Sequence, residues 1–156
     1  MRIRLTVAAA IMMAFTSQSF AQSGVDYGAM ADKIFAVMRC VGYAQMAADT
    51  PTTAFSQLAT DQTSAGRLFR LAMTDGYAYA AAYKGGLVTQ PTGLSIALQS
   101  SPSADFALGE FFERATEAVW GEVNKAVSST PPADQMAAIQ KYGTHAFGEA
   151  NCAFLQ

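Results

Sequence analysis

The chain has 156 residues, of which 51% are hydrophobic and 14% charged, and its formal net charge is −2. This length suits one domain and is enough to bury a hydrophobic core without metals or many disulfides. The composition excludes a disordered chain, which combines low hydrophobicity with high net charge. The weak negative charge supplies no basic field for nucleic-acid binding. We therefore expect one folded domain that does not bind nucleic acid.

The N-terminal segment has the three parts of a secretory signal peptide. Arg2 and Arg4 give a positive start, the apolar run 5–15 follows, and the small residues Ser19 and Ala21 occupy positions −3 and −1 of a cleavage site. The run of about 11 apolar residues is shorter than the ~20 that cross a bilayer. We predict that residues 1–21 are removed, and an uncleaved anchor is the alternative.

Cleavage would leave residues 22–156 as a single helical domain. Its net charge would be −4, because 8 Lys and Arg would remain against 12 Asp and Glu. No second apolar stretch is long enough to cross a membrane. We therefore expect a periplasmic or secreted protein with no membrane span in its mature chain, and the form of the signal favours the bacterial periplasm.

Two helical regions are predicted in the first half of the mature chain. Over 26–49, apolar residues recur every three or four positions, which is the spacing of one helical stripe. The Thr-Pro pair at 50–51 is typical of an N-cap followed by the first helical residue, so a second helix is predicted over 51–83. The polar stretch 60–66 breaks or kinks that helix, and the glycine pair at 85–86 ends it.

Residues 84–103 are punctuated by Gly, Pro and Ser and have no clean helical period. They also contain apolar residues such as Leu94, Ile96 and Leu98, which are unusual in a solvated linker. We predict a long irregular loop, with a helical turn at most, that packs over the core. A binding loop is the alternative.

Two further long helices complete the predicted fold. The third begins at Ser101 or Ser103, and after a break at 128–132 the last helix runs to the C-terminus. Thr130 is predicted to cap this last helix, with Pro131 at its first position. Alternating strand patterns are absent outside a few loop residues. The sequence therefore predicts an all-α, up-and-down bundle of four long helices, one of them broken or kinked.

Cys40 and Cys152 are the only cysteines, and an even count in an exported chain predicts a disulfide bond. In an up-and-down bundle the first and last helices are neighbours. The bond would close about 113 residues, which the chain-entropy model values at roughly 4–5 kcal/mol. At about 100° per residue, however, Cys152 lies off the apolar stripe of a continuous helix. We expect the tail to be non-helical over 148–152; a covered second face or a bond between two chains are the alternatives.

His145 is the only histidine, and Glu149 lies one helical turn away. The pair could ligate a metal together with a reduced Cys152, but a solvated surface pair is the favoured interpretation. The chain lacks the paired Glu-x-x-His motifs of di-iron bundles and the Cys-x-x-Cys-His motif of covalent haem. We therefore predict no metal and no cofactor.

An alanine-rich stretch carries tyrosines just before the apolar start of the loop. Tyr79 and Tyr83 lie four residues apart, and Leu87 follows the glycine pair. Tyrosine combines contact area with a polar tip and is enriched at protein interfaces. We predict a partner surface formed by these three residues, and the alternative is that the tyrosines line the core.

No catalytic arrangement stands out in the sequence. There is no Gly-x-Ser-x-Gly elbow, and the glutamates of the third helix are interpreted as a solvated face, with Glu110 and Arg114 as an ion pair. By elimination we predict an exported, non-enzymatic helical protein that binds a protein partner, as an inhibitor, immunity protein, chaperone or envelope-assembly subunit. The alternative is a bundle that binds a small ligand, haem or a metal.

Overall fold

The computed structural model describes residues 24–48 and 55–155. The predicted signal peptide and the predicted N-cap at 50–51 lie outside these residues. The described chain contains helices and no strand, which confirms the all-α prediction, while the up-and-down order stays a prediction. The elements are α1 (Tyr27–Ala47), α2 (Phe55–Leu58), α3 (Ser64–Lys84), α4 (Gly93–Ser100), α5 (Ala104–Val127), α6 (Gln135–Glu149) and the 3-10 turns Pro132–Asp134 and Cys152–Leu155.

Helix α1 contacts each of the other three long helices, α3, α5 and α6. It begins at the cap Asp26, whose carboxylate accepts a hydrogen bond from the backbone N–H of Ala29 at 3.0 Å. The middle of its predicted apolar stripe is buried, including Ile34, Val37 and Met38. Burial of each such side chain stabilises the fold by about 1.5–3 kcal/mol, so α1 is the main element of the core.

The predicted break in the second helical region is confirmed. Helix α2 ends at Leu58, and α3 begins after Thr63, whose hydroxyl accepts a hydrogen bond from the N–H of Gly66. Asp61 holds the turn, because its carboxylate accepts hydrogen bonds from the N–H and the hydroxyl of Thr63. The polar sequence therefore ends one helix and caps the next.

The segment 84–103, predicted to be a long irregular loop, contains the two-turn helix α4. Thr92 and Ser95 form a capping box: each side-chain oxygen accepts a hydrogen bond from the other residue's backbone N–H. Leu94 and Ala97 are buried, so α4 covers part of the core. A capping box usually carries Glu or Gln at the position of Ser95, which is why the pattern did not predict this helix.

The last helix begins later than predicted. Pro132–Asp134 forms a 3-10 turn, and α6 starts at Gln135 without a side-chain cap, so the predicted capping role of Thr130 is wrong. The Thr130 carbonyl instead accepts a hydrogen bond from the side chain of Gln135 at 3.3 Å. Pro132 is the first residue of this 3-10 turn, a position where the missing proline N–H leaves no helical hydrogen bond unmade.

Helix α6 packs on α1 almost backbone to backbone at Gly143. A Cβ atom at this position would lie 2.8 Å from the backbone nitrogen of Ala47 and 2.9 Å from the carbonyl oxygen of Tyr43. Real Cβ atoms do not approach backbone atoms so closely. Glycine at 143 is therefore what lets the two helices meet.

The structure places the sulfur atoms of Cys40 and Cys152 at disulfide-bonding distance, with Cα atoms 5.6 Å apart. Helix α6 ends at Glu149, Asn151 takes a left-handed conformation with φ of 54°, and Cys152 lies in a 3-10 turn. The chain thus leaves the α-helix over 150–152 as expected, whereas Gly148 and Glu149, which were also predicted to be non-helical, still belong to α6. The change of direction turns Cys152 into the core, where both cysteines are buried.

Candidate functional site

The structure corrects the prediction that Tyr79 lies on a partner surface, because its side chain is 0% exposed. Its hydroxyl shares a hydrogen bond of 2.6 Å with the hydroxyl of Thr92, the residue that caps α4. Its ring meets the ring of Tyr27 edge-on, with centroids 6.2 Å apart. We call these three residues the tyrosine end. Tyr79 is a core residue, as in the alternative interpretation of the sequence.

The other two residues of the predicted partner surface lie in different environments. Tyr83 is partly buried and packs against the core, whereas Leu87 is 46% exposed. The structure therefore does not bring Tyr79, Tyr83 and Leu87 together on one exposed face. A binding role for Tyr83 and Leu87 stays a prediction.

His145 and Glu149 lie side by side on the exposed face of α6, with the Nδ1 atom of His145 3.3 Å from the Oε2 atom of Glu149. Cys152, the third ligand considered from the sequence, is buried in the cysteine pair. Within residues 24–48 and 55–155, no group of three His, Cys, Asp or Glu side chains is placed to hold a metal ion. The pair thus has the geometry of a surface interaction.

The strongest candidate site is an apolar groove between α1, α5 and α6, with a volume of about 270 Å³. We call it the Trp120 groove. Trp120 is 43% exposed and Met136 is 66% exposed, while Met46 forms the buried floor at 6%. Its apolar lining consists of Gly42, Met46, Ala48, Phe112, Trp120, Met136 and Ile139.

Close packing of the helices builds the walls of the Trp120 groove. A Cβ at Gly42 would lie 3.3 Å from the side chain of Val119, so α1 and α5 approach each other closely beneath Trp120. The contact of Gly143 with α1 places the opposite wall, which carries Ile139. The walls of the groove therefore belong to helices that pack tightly against α1, so their positions are fixed.

A shallower depression continues from the groove along α5 and shares Phe112, Thr116 and Trp120 with it. Glu113 and Glu117 line this depression, and we call them the acidic edge. Both side chains are exposed, and neither makes an ion pair within the described part of the chain.

Neighbouring glutamates of α5 behave differently from the acidic edge. Glu110 pairs with Arg114 at 3.0 Å, as the sequence predicted, and Glu122 pairs with Arg39 of α1. Along α5, negative charge is therefore balanced on either side of the acidic edge but not at the acidic edge itself.

A polar cluster that the sequence analysis did not find joins α1 to α5. The hydroxyl of Tyr43 donates to Glu122 at 2.6 Å and accepts from Arg39 at 2.6 Å. Burial, together with the hydrogen bond to Glu122, raises the pKa of Tyr43 to about 12. Tyr43 therefore stays protonated at neutral pH and acts as a hydrogen-bond donor between helices, not as a base or nucleophile.

No protein-family model, curated protein or solved structure matches this chain. None of the helices within the described residues has the length and apolar character needed to cross a membrane.

Proposed function

We propose that this protein is an exported, non-enzymatic helical bundle that binds a protein partner through the Trp120 groove. The partly exposed Trp120 and Met136, set over an apolar floor, are the observation that carries the proposal. Tryptophan and methionine are enriched at protein interfaces, and contiguous exposed apolar surface typically marks an interaction site. The groove replaces the tyrosine surface predicted from the sequence as the proposed contact region.

The chemistry of the lining supports binding over catalysis. The polar residues in the groove are Gln45 and Thr116, and none of the residues that line it is titratable. A general acid, base or activated nucleophile would need such a group within hydrogen-bond reach of the substrate. Inhibitors, immunity proteins, chaperones and envelope-assembly subunits need only a complementary surface.

The size of the groove, and the side chains that line it, favour a protein partner over a small molecule or haem. Its volume of about 270 Å³ is slightly below the roughly 300–1,000 Å³ of typical small-molecule pockets. The only histidine, His145, pairs with Glu149 and does not line the groove, so no imidazole is available there for haem or a metal. An open groove beside an exposed tryptophan suits a side-chain anchor from a partner.

Export is supported by two features. The first is the signal-peptide pattern of residues 1–21. The second is the Cys40–Cys152 pair at bonding distance, since such bonds persist in oxidising compartments. N-terminal sequencing of the protein from a periplasmic fraction is expected to begin at Gln22, and an intact N-terminus in the cytoplasm would contradict export.

Site-specific photo-cross-linking in the producing cell tests the contact region. A photoreactive residue at position 120 or 136 is expected to give an adduct of one discrete mass. The matched control is position 118, because Ala118 is exposed on α5 but lines neither depression. Adducts at position 87 and none at 120 or 136 would contradict the proposed groove and would favour the surface predicted from the sequence.

A further inference from the structure

We infer that the segment received by the Trp120 groove is a basic amphipathic helix, with its apolar side chains in the groove and Lys or Arg over the acidic edge. This inference rests on the proposed function and specifies the chemistry of the partner. The observation that carries it is the continuity of the two depressions, since Phe112, Thr116 and Trp120 line both.

The spacing along α5 fits a helical ligand. Phe112 and Trp120 are eight residues apart, which is about 12 Å along a helix axis. Side chains at positions i and i+7 of a bound helix span about 10.5 Å. Two or three anchors at i, i+3 or i+4 and i+7 would therefore cover the apolar lining, which is the usual mode of helix-in-groove recognition.

Backbone hydrogen bonding also favours a helical ligand over an extended one. Between residues 24 and 48 and between 55 and 155 the chain has no strand, so these regions offer no sheet edge to pair with an extended peptide. An extended ligand would leave its backbone N–H and C=O groups without partners as the groove removed water from them. A helix satisfies those groups internally and presents only side chains.

The charge preference follows from the acidic edge. Glu113 and Glu117 are one turn apart on α5, a spacing at which like charges repel each other and destabilise the helix. Glu110 and Glu122, by contrast, each have an arginine partner. The net charge of −4 expected after cleavage adds to the negative potential, so a cationic ligand is attracted and an anionic one repelled.

Three designed peptides provide the probe for this inference. The first is an 18-residue amphipathic helix with leucine on one face and lysine on the other. The second has glutamate in place of every lysine, and the third is a scrambled version of the first. Trp120 is the only tryptophan, so its fluorescence reports binding at the groove, and titration calorimetry measures the dissociation constant.

The basic helix is expected to bind the mature protein and shift the Trp120 emission to shorter wavelength, while the acidic helix and the scramble bind more weakly. The double variant E113Q/E117Q is expected to weaken binding of the basic helix about three- to thirtyfold, as two exposed ion pairs would. High salt is expected to reduce that difference. The matched control is E149Q, an exposed glutamate on α6 outside both depressions, which is expected to leave affinity unchanged.

Equal binding of the acidic and basic helices, or unchanged affinity in E113Q/E117Q, would overturn the charge preference. Binding of no helix would overturn the helical ligand. In both cases the proposed function is judged separately by cross-linking at position 120, which does not depend on the ligand's charge or conformation. Self-association of the free protein with Trp120 buried, seen by sedimentation and fluorescence together, would replace the basic helix with a second copy of the chain.

Discussion

The tyrosine end and the Trp120 groove each hold an aromatic residue on a long helix, yet one is closed and the other open. Tyr79 is covered by Tyr27 of α1 and by Thr92 at the start of α4. Trp120 has no comparable cover among the described residues and is 43% exposed. The difference depends on the short helix α4, which lies over α5 and reaches α3 through its cap.

The polar atoms of the two regions agree with this difference. A buried tyrosine needs a partner for its hydroxyl, and Thr92 provides one at 2.6 Å. Thr92 thus caps α4 and satisfies Tyr79 with the same oxygen. The tyrosine end is therefore closed and its polar atoms are paired, whereas the Trp120 groove is open among the described residues.

The largest expected effect is the contrast between Tyr79→Ala and Trp120→Ala. Tyr79→Ala is expected to lower the free energy of unfolding by about 3–5 kcal/mol, because it opens a cavity and leaves Thr92 without its partner. Trp120→Ala is expected to cost less than about 1.5 kcal/mol, since much of the ring is already in water. Urea unfolding followed by circular dichroism measures both variants; equal losses would mean that the two regions do not differ.

Removal of the cysteine bond is expected to have the next largest effect. Reduction, or the double variant C40A/C152A, is expected to destabilise the mature chain by about 2–5 kcal/mol, the usual cost of removing a native disulfide, and the sequence separation of 112 residues favours the upper part of that range. Intact mass in the absence of reductant should be about two hydrogens below that of the reduced chain. Two titratable thiols in the native exported protein would contradict the pairing.

Gly143→Ala tests how the wall of the groove is held. The new methyl group would collide with the backbone of α1, so α6 must shift, at an expected cost of about 1–3 kcal/mol. Gly148 provides the control, because a Cβ there meets nothing within 4 Å. Because Gly148 lies within α6, we expect Gly148→Ala to keep or slightly raise stability, by up to about 1 kcal/mol, and to leave peptide affinity nearly unchanged. Gly143→Ala is expected to lower both, and matching results for the two variants would contradict the tight contact.

The smallest expected effect is a pH dependence from Tyr43. Its pKa is raised to about 12, against about 10 for an unfolded tyrosine. Below pH 10 both states keep the proton; between about 10 and 12 only the unfolded state loses it, so the free energy of unfolding falls as the pH rises. Tyr43→Phe should show a shallower fall than the wild type over pH 9.5–11, and identical slopes would contradict this role of Tyr43.

Local signals allowed much of the fold to be predicted. Apolar spacing gave the long helices, and Ser103 caps α5 at one of the two predicted positions. The cysteine count and the order of the helices predicted the pairing of Cys40 with Cys152 and the unwound tail. These features depend on residues that are close in the sequence or on a simple order of helices, so the sequence alone predicts them.

The candidate site could not be predicted in the same way. Tyr79 is the exception: it follows the buried residues Ala72 and Gly76 at helical spacing, a signal for burial that the sequence analysis missed. Trp120 lies beside the apolar stripe of α5, and its exposure depends on whether another segment lies above it. The cluster of Arg39, Tyr43 and Glu122 joins α1 to α5. Glu122 lies 83 positions after Arg39 and 79 after Tyr43, so in the sequence each residue resembles an ordinary part of a helix face. The clue available in the sequence was the single tryptophan next to the core residue Val119.

The most direct test of the open groove is acrylamide quenching of the single tryptophan in the mature, unliganded protein. We expect native Trp120 to be quenched at a substantial fraction of the rate in the urea-unfolded chain, as a 43% exposed side chain should be. We also expect the basic helix to protect it. Native quenching near that of a fully buried indole would contradict the open groove and would make the two aromatic regions alike.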